Sequence, residues 1–149
     1  MDWNVFGVFL AASGTAAAAG SLFKPGSWYE GLVRPGWTPK RWVFPVVWTT
    51  LYVLSAYAAA RVALLPGAGM ALALWALQIA LNTLWTPVFF GAHKLRAAMA
   101  IILLLWLAVA AVLVRFWALD LIAGLLIVPY LAWLCVAVAL NYRIWRDNR

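Results

Sequence analysis

Trp48, Asn82, Trp85 and Trp133 are the residues through which this chain could handle another molecule. All four fall inside apolar stretches, where an indole N–H or a side-chain amide needs a partner. Indole faces stack on flat ligands, and a good aromatic stack contributes roughly 1–3 kcal/mol. Most small-molecule cavities are apolar, with a few polar groups that orient the guest. The chemistry on offer is therefore the binding of something flat and aromatic. No acid–base pair or activated nucleophile accompanies these residues. No His, Cys, Asp or Glu cluster has metal-ligand spacing, so no metal is expected. His93 is alone in a short loop, which argues against haem ligation while leaving haem free to bind as a flat ring. Cys135 lies alone in an apolar stretch and reads as a small apolar residue.

The elements that must position these residues are membrane helices. The chain has 149 residues and 11 tryptophans, is 68% apolar and only 10% charged, and has a mean hydropathy of +0.95. Apolar runs of about 18 residues or more mark bilayer-spanning helices. Five such spans are expected, at about 3–23, 42–65, 68–92, 97–114 and 121–142. They make one all-α transmembrane domain over 1–149, with no room for a soluble domain. The first span lacks a basic lead and is read as a membrane helix rather than a cleaved leader.

Net charge is +7, and the cations cap helix ends, so a membrane explains them better than nucleic acid. Lys24, Arg34, Lys40, Arg41, Lys94, Arg96, Arg143, Arg146 and Arg149 fall on one side, against Arg61 and Arg115 on the other. That bias predicts an outside N-terminus and a cytoplasmic C-terminus. No span carries an ionisable residue at its centre, which argues against a proton- or sodium-driven pump.

Most connections are short, which predicts that sequential helices are antiparallel neighbours. The exception is 24–41, stiffened by Pro25, Pro35 and Pro39 and carrying Trp28, Tyr29 and Trp37. It is read as a lid over the cytoplasmic end. Phe44, Trp48 and Tyr52 share a helix face, as do Gln78, Asn82 and Trp85, and Pro129, Trp133, Ala137 and Asn141. Trp48, Asn82, Trp85 and Trp133 fall in the half of the bilayer under the lid, which predicts an aromatic pocket opening toward it. The amides have another use, stapling helices by hydrogen bonds, and that use is favoured for Asn141. Arg34, Lys40 and Arg41 at the mouth serve either as anchors or as partners for ligand carboxylates. Small residues recur four apart in the first span (Gly7, Ala11, Thr15, Ala19; also Ala12, Ala16, Gly20) and at Ala76 and Ala80, faces suited to close packing inside the bundle or against a second copy.

The run Trp37-Thr-Pro-Lys-Arg-Trp-Val-Phe-Pro-Val-Val-Trp48, with Leu51-Tyr52, resembles the signature of the translocator protein family, whose bacterial members are the tryptophan-rich sensory proteins (TspO) and whose mitochondrial members are the peripheral benzodiazepine receptors. Gln78 to Phe90, Pro129 to Trp133 and Leu140 to Asn148 resemble the family's third helix, fifth helix and tail. The resemblance spans essentially the whole chain. It implies a five-helix bundle, often a homodimer, that binds protoporphyrin and other tetrapyrroles, isoquinoline carboxamide drugs and, in some members, cholesterol. Its pocket residues carry over to Tyr29, Trp37, Pro39, Trp48, Asn82, Trp85, Trp133 and Ala137. Its sterol element would fall at Leu140, Tyr142 and Arg146, where an interfacial Tyr with a snorkelling Arg is the plainer explanation. Lys40 departs from the pattern, standing where the family often has a second proline.

Three activities compete. A sensor would bind porphyrin and report through the lid, with porphyrin as ligand and no cofactor required. An enzyme would degrade porphyrin with light or oxygen, using Trp48 and Trp133. A passive transporter would move porphyrin or sterol along the helix surfaces.

Overall fold

The computed structural model describes Met1–Arg149 and contains six helices and no strands. They are α1 (Trp3–Leu22), a single turn α2 (Ser27–Glu30), α3 (Val43–Ala63), α4 (Gly69–Thr86), α5 (Leu95–Leu119) and α6 (Leu121–Asp147). A wider turn, Pro87–Gly91, extends α4. Five helices, α4 with its extension among them, are long and apolar enough to cross a membrane. In hydrocarbon every backbone N–H must find its acceptor within the segment, which is why each apolar run closes as a helix.

Two spans, the fourth (α5) and the fifth (α6), are longer than expected. The fourth helix starts at Leu95 and continues to Leu119, and the fifth continues to Asp147. The stretch 116–120, read as a loop, is helix up to a single joint at Asp120. That residue is extended, and its carboxylate accepts from the N–H groups of Ile122 (2.8 Å) and Ala123 (3.2 Å), capping α6. Arg143 and Arg146 belong to the last turns of α6, where a cation suits the helix dipole. Asp2 caps α1 in the same way.

The helices close a ring in the order α1–α3–α6–α5–α4. This corrects the rule that short loops join neighbours. α4–α5 and α5–α6 obey it, but α3 and α4, joined by a turn in which Gly67 takes a φ of +80°, barely touch. α1 sits between them. It fits because it buries only small side chains, Ser13, Ala16 and Ala19. Ala76 and Ala80 of α4 are exposed, and Ala80 borders a groove with Ala12 and Thr15 of α1. α3 and α4 meet instead through long side chains crossing the interior: Trp75 Nε1 donates to Ser55 Oγ at 2.8 Å, and Tyr52 Oη to Asn82 Oδ1 at 3.2 Å.

Candidate ligand site beneath the first loop

The 24–41 segment is folded onto the bundle at three places. Tyr29 of α2 is buried and meets the rings of Phe90 (5.4 Å) and Phe89 (6.2 Å) edge-on. Trp28 lies flat on His93, ring centres 4.0 Å apart and planes 8° apart. Farther along, Asn148 near the C-terminus grips Val33: its Oδ1 accepts from the Val33 N–H at 2.8 Å, and its Nδ2 donates to the Val33 carbonyl at 2.8 Å. Arg41 closes the segment on itself, pairing with Glu30 at 3.0 Å and donating to the Pro25 carbonyl at 3.0 Å. The expected lid is thus a clamped cover with a helical turn inside it.

The platform for α2 comes from the irregular end of α4. Pro87 has no N–H, so the regular ladder cannot continue through it. The Ala92 N–H reaches the Pro87 carbonyl five residues back, at 2.8 Å. The widened turn groups Trp85, Phe89 and Phe90, with ring centres 4.7–5.7 Å apart. His93 then takes a left-handed φ of +57°, a conformation His visits more readily than most residues.

Below this cover the predicted residues separate into two groups. Trp48 stacks on Tyr52 (5.7 Å) and meets Tyr130 edge-on (6.0 Å), while Trp133 meets Phe44 (5.8 Å). Trp85 Nε1 donates to Asn141 Oδ1 at 3.0 Å, so Asn141 does staple α4 to α6. Asn82 joins Tyr52 to Tyr130, donating from Nδ2 to the Tyr130 hydroxyl at 2.7 Å. Tyr130 donates onward to Gln78 Oε1 at 2.7 Å. Ala137 is partly buried and packs against the main core. Trp37 lies apart, 48% exposed on the loop, and Pro39 is half-buried there. Pro129 and Trp133 both line an open groove of about 490 Å³ between α3 and α6, whereas Asn141 is buried, because a strict four-residue repeat drifts around a helix of 3.6 residues per turn. The sterol trio is likewise split: Leu140 is buried in the small core under the lid, whereas Tyr142 is 41% exposed with the Arg146 guanidinium 6.0 Å over its ring.

Sequence reasoning missed Tyr130 as the hub of the polar chain, and Phe89, Phe90 and Asn148 as the lid's seat and clamp. A tyrosine hydroxyl in mid-span demands a partner, and that demand was the available signal for Tyr130. Three buried side-chain polar atoms find no partner in the protein: Ser13 Oγ, Gln78 Nε2 and Trp133 Nε1. Two of them lie among the site residues, and both are donors.

A five-helix integral membrane bundle, with rings and amides gathered beneath a clamped loop, defines a multi-pass membrane protein built around an aromatic interior. The chain belongs to the TspO/MBR family, whose pattern matches residues 6–146. It is 52% identical to the tryptophan-rich sensory protein of Cereibacter sphaeroides, over 99% of this chain and 94% of that one. It is 49% identical to protein CrtK of Rhodobacter capsulatus, over 99% and 95%. It is 38% identical to the human translocator protein, over 94% and 88%. It is a TspO-type membrane sensory or translocator protein.

Proposed function

We propose that the protein binds tetrapyrroles, protoporphyrin IX foremost, in the aromatic site beneath the 24–41 lid, with isoquinoline-type and sterol molecules as related guests. The observation that carries this reading is the Trp133 indole. It meets Phe44 edge-on and lines the groove between α3 and α6, with its N–H buried and unpartnered. A buried donor without a partner costs about 1–3 kcal/mol, which a guest bearing an acceptor recovers. Arg34 and Lys40 are exposed on the lid, and their cations supply charge complementary to ring carboxylates. The lid end carries the surplus of Lys and Arg and so faces the cytoplasm. The exposed small-residue faces of α1 and α4 suit a homodimer. Occupancy is sensed as movement of the lid, which touches α4 and α6 at once.

The test is a protoporphyrin titration of the purified protein in detergent, read by tryptophan fluorescence in the dark and then in light. Saturable quenching is expected, weakened about 5–10-fold in Trp48→Phe, Trp133→Phe and Asn82→Ala. Equal quenching in all variants would mean that porphyrin enters the micelle or another site, and the reading would fail. Light-dependent loss of porphyrin with turnover, abolished in Trp133→Phe, would favour the degrading activity over sensing.

A further inference from the structure

The polar chain across the bundle runs in one direction. Tyr52 Oη donates to Asn82 Oδ1, Asn82 Nδ2 to Tyr130 Oη, and Tyr130 Oη to Gln78 Oε1. Each hydroxyl and carbonyl on the path is used. The chain ends on the Gln78 amide nitrogen, which finds no acceptor in the protein. Gln78 is only 1% exposed, so bulk water and lipid do not reach it, and a guest does so by parting the packed rings of Trp48, Tyr52 and Tyr130. Bonds in such a chain polarise one another, and the terminal N–H groups become better donors. Gln78 also lies one turn, about 6 Å, deeper along α4 than Asn82. Tyr52 lies one turn deeper than Trp48 on α3, and Tyr130 nearly one turn deeper than Trp133 on α6. The four polar residues therefore form the floor beneath the aromatic walls.

We propose that Gln78 Nε2 is a ligand-binding group: the floor of the site selects flat aromatic guests that present a carbonyl-type acceptor at their leading edge, and discriminates against those that present only C–H there. This inference rests on the aromatic site under the lid being the binding site. The walls supply affinity for any flat ring, and the floor supplies the choice between rings. An acceptor atom satisfies an N–H group that the protein itself leaves unpaired, whereas a hydrocarbon edge buries it a second time.

The experiment compares 9-fluorenone with fluorene, flat tricycles that differ by one carbonyl, in displacement of protoporphyrin from the full chain in detergent. Gln78→Met keeps the side-chain length and leaves the Tyr130 hydroxyl a weak thioether acceptor, but has no N–H to give. Dividing the fluorenone/fluorene affinity ratio of the wild type by that of Gln78→Met cancels partitioning into micelles. A quotient of about tenfold is expected, with fluorene affinity nearly unchanged. Even if Gln78→Met folds poorly, the carbonyl stretch of 9-fluorenone bound to the wild type is expected to shift to lower frequency, as for a hydrogen-bonded ketone, and an unshifted stretch would overturn the role of Gln78. A quotient near one, with both tricycles still displacing protoporphyrin, overturns the role of Gln78 and leaves the aromatic site standing. Failure of both tricycles to displace protoporphyrin from the wild type overturns the site and the Gln78 assignment together.

Discussion

The two ends of this bundle solve different packing problems. At the end away from the lid, Ala58, Ala59, Val62, Val109, Phe116 and Ala123 are each fully buried. Gly124 lets α6 approach α5 so closely that an added Cβ would lie 2.7 Å from Trp117 Cα. The polar groups there pair with each other: Arg61 Nη2 sits 2.8 Å from Asp120 Oδ2, and Asp120 also caps α6. From the middle toward the lid, the contacts are between rings, α4 widens into an irregular turn, and two buried N–H donors lack acceptors. Small side chains interlock without voids, whereas large flat rings meet edge to face and leave shapes that another ring can complement. The far end holds the fold; on the proposed function, the lid end leaves donors that a guest would satisfy.

That contrast can be broken, most forcefully at Gly124. Gly124→Val drives a side chain into the α5 backbone, which cannot swing aside, and is expected to cost about 3 kcal/mol. Its thermal midpoint in detergent should fall furthest of all the variants, while the folded fraction retains wild-type protoporphyrin affinity. A loss of affinity without a loss of stability would show that the ends are not separable.

Tyr130→Phe comes next. It keeps the ring but leaves Asn82 Nδ2 and Gln78 Oε1 unpaired, at about 1–2 kcal/mol. Both stability and ligand affinity should drop, because the polar floor belongs to both regions. A stability loss alone would assign the chain of hydrogen bonds to the fold only.

At the far end, Asp120 gives a pH test. Desolvation raises its carboxyl, but the Ala123 N–H, the Arg61 guanidinium and the Ile122 N–H outweigh that effect and hold it below the usual carboxylate range. A carboxylate depressed in the folded state contributes its stability in full above the unfolded value of about 4, and loses it as pH falls through the lower folded value. Asp120→Asn retains a capping side chain but removes this acid-dependent part. Its thermal midpoint should change less between pH 5 and 3 than that of the wild type.

The smallest effect on stability is expected at the lid. Asn148→Ala frees the Val33 backbone, which lies on an exposed strip of loop. The midpoint should shift by less than about 1 kcal/mol equivalent. Hydrogen exchange at Val33 should nonetheless speed up several-fold, and protoporphyrin should enter and leave faster. Unchanged exchange at Val33 would mean that the Tyr29 and Trp28 contacts alone secure the cover.

Five membrane spans were legible because hydrocarbon leaves an apolar run of this length few structures other than a helix. The aromatic and amide faces were legible wherever a polar side chain in mid-span had to turn inward, as at Asn82, Trp85 and Asn141. The four-residue stripes were less faithful. Pro129 and Trp133 were read on one inward face with Asn141, yet they line the open groove between α3 and α6 while Asn141 is buried; the Ala76–Ala80 stripe, suited to the bundle or to a second copy, is exposed. Periodicity names a face without saying which neighbour it meets.

The sequence by itself determined the all-helical membrane class, the number of spans, the family, and the residue types that can hold a flat ring. These follow from composition, run length and local spacing, which need no partner to be defined. Only the tertiary structure decided that α1 lies between α3 and α4, that Tyr130 links Asn82 to Gln78, that Asn148 clamps Val33 across 115 residues of chain, and that Gln78 and Trp133 keep unpaired donors. Each of these depends on which helices become neighbours. That choice is set by how small and large side chains interlock around the whole ring, a quantity no single segment contains.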